Sequence, residues 1–189
     1  MVKNEKSNDI RIYQLKVTLN DIKPPIWRRI QVRSDITLLQ LHQIIQETMG
    51  WYDCHLHQFI IGGETYSIPV PVDPFEVMDE RNIKLNHFIK KEKYQFAYEY
   101  DFGDSWYHII LVEKILSPES NIHYPVCLKG KRACPPEDCG GAYGYEEFLE
   151  AIQDPKHPEH EEMLDWIEDD FDPEEFDLDD INKILSKIK

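Results

Sequence analysis

The sequence predicts an α+β fold: a mixed or antiparallel sheet with a β-grasp-like N-terminal half, and three short C-terminal helices packed against it. Three observations predict this arrangement. Apolar residues recur with a period of two before residue 133 and with a helical period after it. The net charge of −15 also arises after that point, because residues 1–132 carry 17 Lys and Arg against 17 Asp and Glu, whereas residues 133–189 carry 4 against 19.

Length and composition predict one domain over residues 11–189 after a flexible N-terminus at 1–10. Within that domain, 11–132 form a sheet-rich part with one central helix and 133–189 form an acidic helical subdomain. The polar N-terminus, the lack of a long apolar run and the use of only four cysteines predict a cytoplasmic protein with no membrane segment. The acidic half argues against direct nucleic-acid binding and is either a solvated surface or a docking face for a basic protein partner.

The first two strands and the helix that follows have clear local signals. Alternating apolar residues from Tyr13 to Leu19 indicate a half-buried strand, and a second strand is predicted over Ile26–Val32. Arg28 falls on the apolar face of that strand, so it is predicted to need a carboxylate partner, an edge position or a bulge. Thr37 and Gln40 are typical of a capping box that opens a helix, and Gly50 is typical of its left-handed end.

Two hairpins and three helices complete the expected fold. Gly62-Gly63 joins a strand at 55–61 to one at 64–68, and Gly103 joins an aromatic strand ending near Phe102 to a central strand beginning at Trp106. The predicted helices cover 145–153, a segment opened by His157-Pro158, and a last segment capped by Asp172–Glu175. Their apolar stripes are expected to be buried on the sheet.

The boundary between the two halves is the stretch Cys134-Pro-Pro-Glu-Asp-Cys-Gly-Gly-Ala-Tyr-Gly144, called the Cys134 loop below. Its prolines and glycines favour a stiff connector. We expect it to close over one end of the sheet near the turn formed by Asp101 to Asp104. Glu137 and Asp138 are then the residues of this loop that could take part in chemistry.

Four motifs occur in a fixed order: Pro24-Pro-Ile-Trp-Arg-Arg29, Gly50-Trp51 with His55-Leu-His57, Tyr98-Glu-Tyr-Asp-Phe-Gly-Asp-Ser-Trp106, and Cys134-Pro-Pro-Glu-Asp-Cys-Gly-Gly141. With Gly144-Tyr145 they resemble the plasmid pRiA4b ORF-3-like family, over nearly the whole chain. That resemblance implies a single α+β domain in a family of plasmid- and mobile-element-associated proteins of unknown function. It supplies no catalytic residue set.

Several side chains are candidates for a site. His55 and His57, two apart on a predicted strand, would project from one face and could supply two imidazoles to a metal; alternatively, they share that face with Phe59 and Ile61 as partly buried residues. An aromatic-walled pocket with carboxylates is predicted beside the Asp101–Asp104 turn, although Asp and Gly in turns also serve the backbone. The candidate pocket residues are Trp27, His55, His57, Tyr98, Tyr100, Asp101, Asp104, Trp106, His108, Glu137 and Asp138.

The cysteines offer a second metal hypothesis. Cys127, Cys134 and Cys139, completed by a histidine such as His123, could form a zinc site, although the spacing lacks the close Cys-x-x-Cys pair that is typical of such sites. The alternative is that they belong to a connector with no metal.

Two function classes follow. The first is a non-catalytic ligand- or protein-binding module, because the sequence contains no complete triad, phosphate loop or close zinc motif. The second is a metal-assisted hydrolase or nuclease-like enzyme that uses the His55/His57 and Asp101/Asp104 cluster. No cofactor is firmly implied, and a divalent metal belongs only to the second class.

Overall fold

The computed structural model describes residues 10–70, 77–167 and 171–188. They form one mixed sheet and five α-helices, an α+β architecture as predicted. The sheet order is β5-β4-β3-β6-β7-β1-β2-β8. The strands are β1 (Ile12–Leu19), β2 (Trp27–Arg33), β3 (His57–Ile61), β4 (Glu64–Ser67), β5 (Met78–Asp79), β6 (Gln95–Tyr100), β7 (Trp106–Leu116) and β8 (Val126–Lys131). The helices are α1 (Leu38–Met49), α2 (Leu85–Phe88), α3 (Gly141–Gln153), α4 (His160–Ile167) and α5 (Leu178–Leu185), with a short 3₁₀ helix at Glu80–Asn82.

The β-grasp-like detail is not confirmed. β1 lies between β2 and β7 and pairs antiparallel with both, and the only parallel pair among the described strands is β4 with β5. β7 lies between β1 and β6, as its two apolar faces predicted. The expected flexible segment at 1–10 falls almost entirely outside the described residues and stays a prediction. Among the described residues, no helix is long and apolar enough to cross a membrane.

Helix α1 forms where its local signals place it. The Thr37 hydroxyl accepts a hydrogen bond from the Gln40 amide at 3.2 Å, and the Gln40 side chain accepts one from the Thr37 amide at 3.0 Å. Gly50 ends the helix with φ of 97°, a conformation that favours glycine. The apolar stripe of α1, including Leu38, Leu41 and Met49, is buried against the sheet.

Arg28 on β2 is buried, as its position on the apolar face required. Its partners are backbone carbonyls of Thr48, Trp27 and Lys131, at 2.6, 3.0 and 3.1 Å. Of the three predicted solutions, a bulge does occur in the β2–β8 pairing, directly after Arg29. No carboxylate of the described residues forms an ion pair with Arg28.

The C-terminal helices differ in how deeply they are buried. Tyr145 and Phe148 on α3 and Leu185 on α5 join the main hydrophobic core. The Asn182 side chain on α5 accepts from the amide of Cys127 at 2.8 Å and donates to its carbonyl at 2.9 Å, so it bonds the outer edge of β8. Two expectations were wrong: Asp172–Glu175 is a turn rather than a helix cap, since Asp177 caps α5, and α4 has no buried residue, leaving Trp166 42% exposed.

Candidate functional site

The Cys134 loop lies across one end of the sheet beside the turn between β6 and β7. The Gly140 amide donates to the Asp104 carboxylate at 3.1 Å, and the Trp51 indole donates to the Pro135 carbonyl at 3.0 Å. Gly141, with φ of 70°, has room for no side chain, because a Cβ there would lie 2.6 Å from the Asp104 carbonyl oxygen. The predicted placement of the loop is therefore confirmed.

Glu137 is held by the elements beneath this loop. Its side chain is only 12% exposed, and its Oε1 accepts hydrogen bonds from the Tyr52 amide at 2.9 Å and from the Tyr100 hydroxyl at 3.0 Å. Its Oε2 is buried and has no hydrogen-bond partner among the described residues. A buried carboxylate oxygen without a partner is unfavourable, so this atom is a candidate ligand atom.

His55 stands opposite that oxygen, surrounded by carboxylates. Its Nε2 lies 3.8 Å from Glu137 Oε2 and 3.2 Å from Asp138 Oδ1, and its Nδ1 lies 3.7 Å from Asp101 Oδ1. Its Nε2 is buried and, like Glu137 Oε2, lacks a hydrogen bond among the described residues. Cys54 completes the group, with its ligand atom within 4.8 Å of those of His55 and Glu137. We call these five residues the His55 cluster.

The backbone around the cluster adopts conformations that non-glycine residues seldom take. Asp53, Asp101, Ser105 and Asp138 all have φ between 55° and 57°. Aspartate tolerates this left-handed region better than most residues because its side chain can bond the local backbone. Such positions concentrate at sites where surrounding structure fixes a geometry. The turns that carry Asp101 and Asp138 are of this kind.

A cleft of about 650 Å³ adjoins the cluster, between the end of α1, the Cys134 loop and the segment from α4 to α5. We call it the acidic cleft. Its aromatic lining residues are Trp51, Tyr52, Trp166, Phe171 and Phe176, and its carboxylates are Glu47, Glu137, Asp138, Glu175, Asp177 and Asp180. Tyr52 is 84% exposed. Glu137 and Asp138 belong to both the cleft and the His55 cluster.

His57 does not join His55. The prediction that both histidines project from one strand face is wrong, because β3 begins at His57 and His55 lies in the preceding loop. His57 Nε2 instead bonds Glu80 at 2.8 Å, and its ring stacks on that of His42 at 3.4 Å with an interplanar angle of 6°. His42, Asp53 and His57 have ligand atoms within 4.8 Å of one another, but the His42 nitrogens bond Tyr98 and Asp53 and His57 Nε2 bonds Glu80.

The other aromatic candidates have structural positions. Tyr98 is fully buried and its hydroxyl bonds His42 and Gln46 at 2.8 and 2.9 Å. Trp106 and His108 are also buried in the core, and burial lowers the pKa of His108 to about 4. Trp27 lies on the opposite sheet face, under the cations of Lys16 and Arg29. Only Tyr100 reaches the His55 cluster.

The cysteine hypothesis gains no support. Among the described residues, none of the groups close enough to hold a metal contains Cys127, Cys134 or Cys139. Desolvation raises the pKa of the Cys134 and Cys127 thiols and brings that of Cys139 to about 12. These thiols are therefore protonated near neutral pH in the metal-free chain.

Comparison with known proteins places this arrangement in a family. The family described as "Plasmid pRiA4b ORF-3-like protein" has a model that matches residues 11–180. The chain belongs to that family.

Two relatives of this chain span almost the same length. The uncharacterized protein y4hQ of Sinorhizobium fredii is 35% identical over 179 residues, which cover 94% of this chain and 92% of that protein. The crystal structure of MM3350, a protein of unknown function from Methanosarcina mazei Go1, has a TM-score of 0.82 and 41% identity, covering 90% of this chain and 97% of that one. The family and these relatives are uncharacterised, and they indicate no catalytic function.

Sequence reasoning missed several residues of this region. Cys54 joins the His55 cluster, and the inner group around His57 includes His42, Asp53 and Glu80. One signal was available for His42: it lies beside Leu41 and three residues before Ile45, on the face of α1 that was predicted to be buried. Burial and the neighbouring His57 lower the pKa of His42 to about 4, so the His42 imidazole is neutral at pH 7.

Proposed function

We propose that the protein is a non-catalytic binding module that holds a basic, partly apolar segment of a partner protein in the acidic cleft. The observation that carries this proposal is the composition of the described part of the cleft lining: six carboxylates and five aromatic rings around a single arginine. A volume near 650 Å³ lies within the ordinary range of ligand pockets.

The lining matches the chemistry of lysine and arginine side chains. Their apolar stems pack along exposed aromatic surfaces such as Tyr52 and Trp166, while their charged ends reach carboxylates at the rim. Ile184, which also lines the cleft, is more than a third exposed, so an apolar residue of the partner finds a contact there. A basic segment would also offset part of the charge of −15.

Calorimetric titration tests this with an acetylated eight-residue peptide of alternating lysine and leucine. We expect one peptide per chain, bound more weakly as salt is added. The double variant Glu47→Lys/Glu175→Lys reverses two exposed charges of the cleft and should weaken binding about twofold to thirtyfold. The matched control Glu64→Lys/Glu119→Lys makes the same charge change outside the cleft lining. Equal losses in both variants, or no binding of the peptide, would contradict the proposal.

The His55 cluster supports a second candidate, a metal-assisted hydrolase or nuclease-like enzyme. His55 Nε2 lies 3.8 Å from Glu137 Oε2, and the ligand atoms of Cys54, His55 and Glu137 all lie within 4.8 Å of one another. Ligand atoms about 2.0 to 2.2 Å from a tetrahedral zinc ion lie roughly 3.3 to 3.6 Å apart. The unpartnered Oε2 and Nε2 are the atoms such an ion would need, so the residues fit.

Each residue would have a distinct part in such a centre. Cys54, His55 and Glu137 would hold the ion, which when bound would lower the pKa of a coordinated water. Tyr52 and Tyr100 fix the other Glu137 oxygen, and Asp101 stands behind Nδ1 as an orienting carboxylate. His57 and Asp104 are excluded from the ligand set, since His57 bonds Glu80 and Asp104 accepts from Gly140.

Metal titration separates this candidate from the first. Purified protein is freed of metal with a chelator and titrated with Zn²⁺ and with Mn²⁺. One ion should bind per chain, and His55→Ala/Glu137→Gln should abolish that binding. The control variant His123→Ala/Glu119→Gln removes the same groups from an exposed surface elsewhere. Retention of the ion by the His55→Ala/Glu137→Gln variant would rule this centre out.

A further inference from the structure

Arg28 forms part of the wall of the acidic cleft and is the only basic residue among the described residues of its lining. It is 2% exposed. Its Nε bonds the Thr48 carbonyl and its Nη1 bonds those of Trp27 and Lys131, while Nη2 takes part in none of these bonds. The guanidinium lies 4.9 Å from the ring of Phe176. All of these partners are neutral.

A buried charge with neutral partners only is unusual. Burial of a charge costs free energy unless an opposite charge or a full set of hydrogen bonds compensates it. Six carboxylates line the same cleft, yet none of the described carboxylates pairs with Arg28. Burial lowers the pKa of Arg28, in keeping with the missing counter-ion. An arginine held in this way beside an open cleft offers a fixed position to an anionic ligand group.

We infer that Arg28 binds the C-terminal carboxylate of the basic segment that the acidic cleft accepts. This inference rests on the proposed binding function and adds the direction in which the partner enters. The ligand then carries one carboxylate at its end and lysine or arginine side chains before it, which reach the carboxylates of the rim. A phosphate is disfavoured because its second charge would face the same six carboxylates, with no further cation among the lining residues that the structure describes.

Acid and amide forms of one peptide test this directly. The acetylated eight-residue lysine–leucine peptide is prepared with a free C-terminal carboxylate and with a C-terminal amide. General attraction to an acidic protein favours the amide, which has one more net positive charge. A charge-assisted bond to Arg28 predicts the reverse, with the acid bound about tenfold to a hundredfold more tightly on wild-type protein.

The outcomes separate this inference from the function on which it rests. If neither form binds, the proposed binding function fails. If both bind and the amide is equal or tighter, the cleft binds basic segments but Arg28 does not bind their carboxylate. If the acid is tighter, Arg28→Lys should reduce the preference to below about threefold, since a lysine lacks the planar fork. The control Arg33→Lys, at an exposed arginine paired with Asp35, should keep the full preference.

A second measurement needs no variant and so does not depend on the folding of Arg28→Lys. In ¹⁵N spectra of wild-type protein, the Arg28 Nε–H resonance should shift when the acid peptide is added and stay in place with the amide. An Arg28 resonance that responds equally to both peptides would overturn the assignment.

Discussion

Gly144 lies in the first turn of α3, against the Cys134 loop, and its replacement by alanine tests how closely these two segments pack. A Cβ at Gly144 would lie 2.0 Å from the Cys139 carbonyl oxygen and 3.0 Å from its carbon. Ordinary contact needs about 3.5 Å. The loop or the helix would have to move by more than about 1 Å, and the opposing atoms are backbone, which cannot rotate away as a side chain can.

Two effects of opposite sign decide the magnitude. Alanine is about 0.8 to 1.0 kcal/mol more favourable than glycine inside a helix. Overpacking costs about 1 to 3 kcal/mol, and the short contact with backbone places Gly144→Ala toward the upper end. The expected net loss is about 1 to 2 kcal/mol in the free energy of unfolding. If the His55 cluster holds Zn²⁺, as the second candidate function requires, that binding should weaken as well, since the loop carries Glu137.

Urea denaturation followed by tryptophan fluorescence measures the loss. Gly62→Ala is the control, because Gly62 has φ of 65° but no neighbouring atom within 4 Å of an added Cβ. That variant should lose about 1 kcal/mol from backbone strain alone and leave Zn²⁺ binding unchanged. A neutral or stabilising Gly144→Ala would show that the loop does not pack against α3 as described.

Three further predictions concern other parts of the structure. Burial lowers the pKa of His108 from 6.5 to about 4, so as the pH falls the imidazole is protonated in the unfolded chain before it is protonated in the folded one. The contribution of His108 to the free energy of unfolding is therefore fully present above pH 6.5 and is lost as the pH falls toward 4. Between pH 7 and 5 the loss should be about 2 kcal/mol greater in wild type than in His108→Gln by urea denaturation, and equal losses would contradict the role of His108. Iodoacetamide at pH 8 should alkylate the exposed Cys54 first and Cys134 only in urea, as followed by mass spectrometry; early modification of Cys134 would mean that its loop opens. Thr37→Ala should cost about 1 kcal/mol by removing the cap of α1, whereas Ser117→Ala at an exposed position should cost nearly nothing.

The parts of the fold that were predictable are those encoded by neighbouring residues. Thr37, Gln40 and Gly50 act within one or two turns of α1, and Gly62 and Gly63 both take the positive φ that a two-residue hairpin turn requires. In both cases the residues that determine the structure lie close together in sequence. The position of the Cys134 loop near Asp104 was also predicted correctly, although this contact joins residues 36 apart in the chain.

The errors come from contacts between distant residues. A period of two cannot tell where a strand begins, and β3 begins at His57, which pairs with Tyr100, whereas the residues before it turn toward the Cys134 loop. The stacking of His42 on His57 and the bond from His57 to Glu80 join three separate elements. Trp166 is exposed although its helical stripe predicted burial, because the neighbouring surface is a cleft.

The two hydrogen bonds between the Asn182 side chain and β8 affect how the acidic C-terminal part of the chain can be studied. β8 is the last strand of the sheet, and a bare outer strand is a template on which further chains add and aggregate. The Asn182 amide satisfies the Cys127 amide and carbonyl as a ninth strand would, and so caps the sheet. Deleting the C-terminal helices would therefore remove negative charge and also expose the unpaired edge of β8. Such a fragment could self-associate through that edge, and its self-association would be mistaken for partner binding. Charge reversal at single residues avoids this artefact, because it leaves the cap in place.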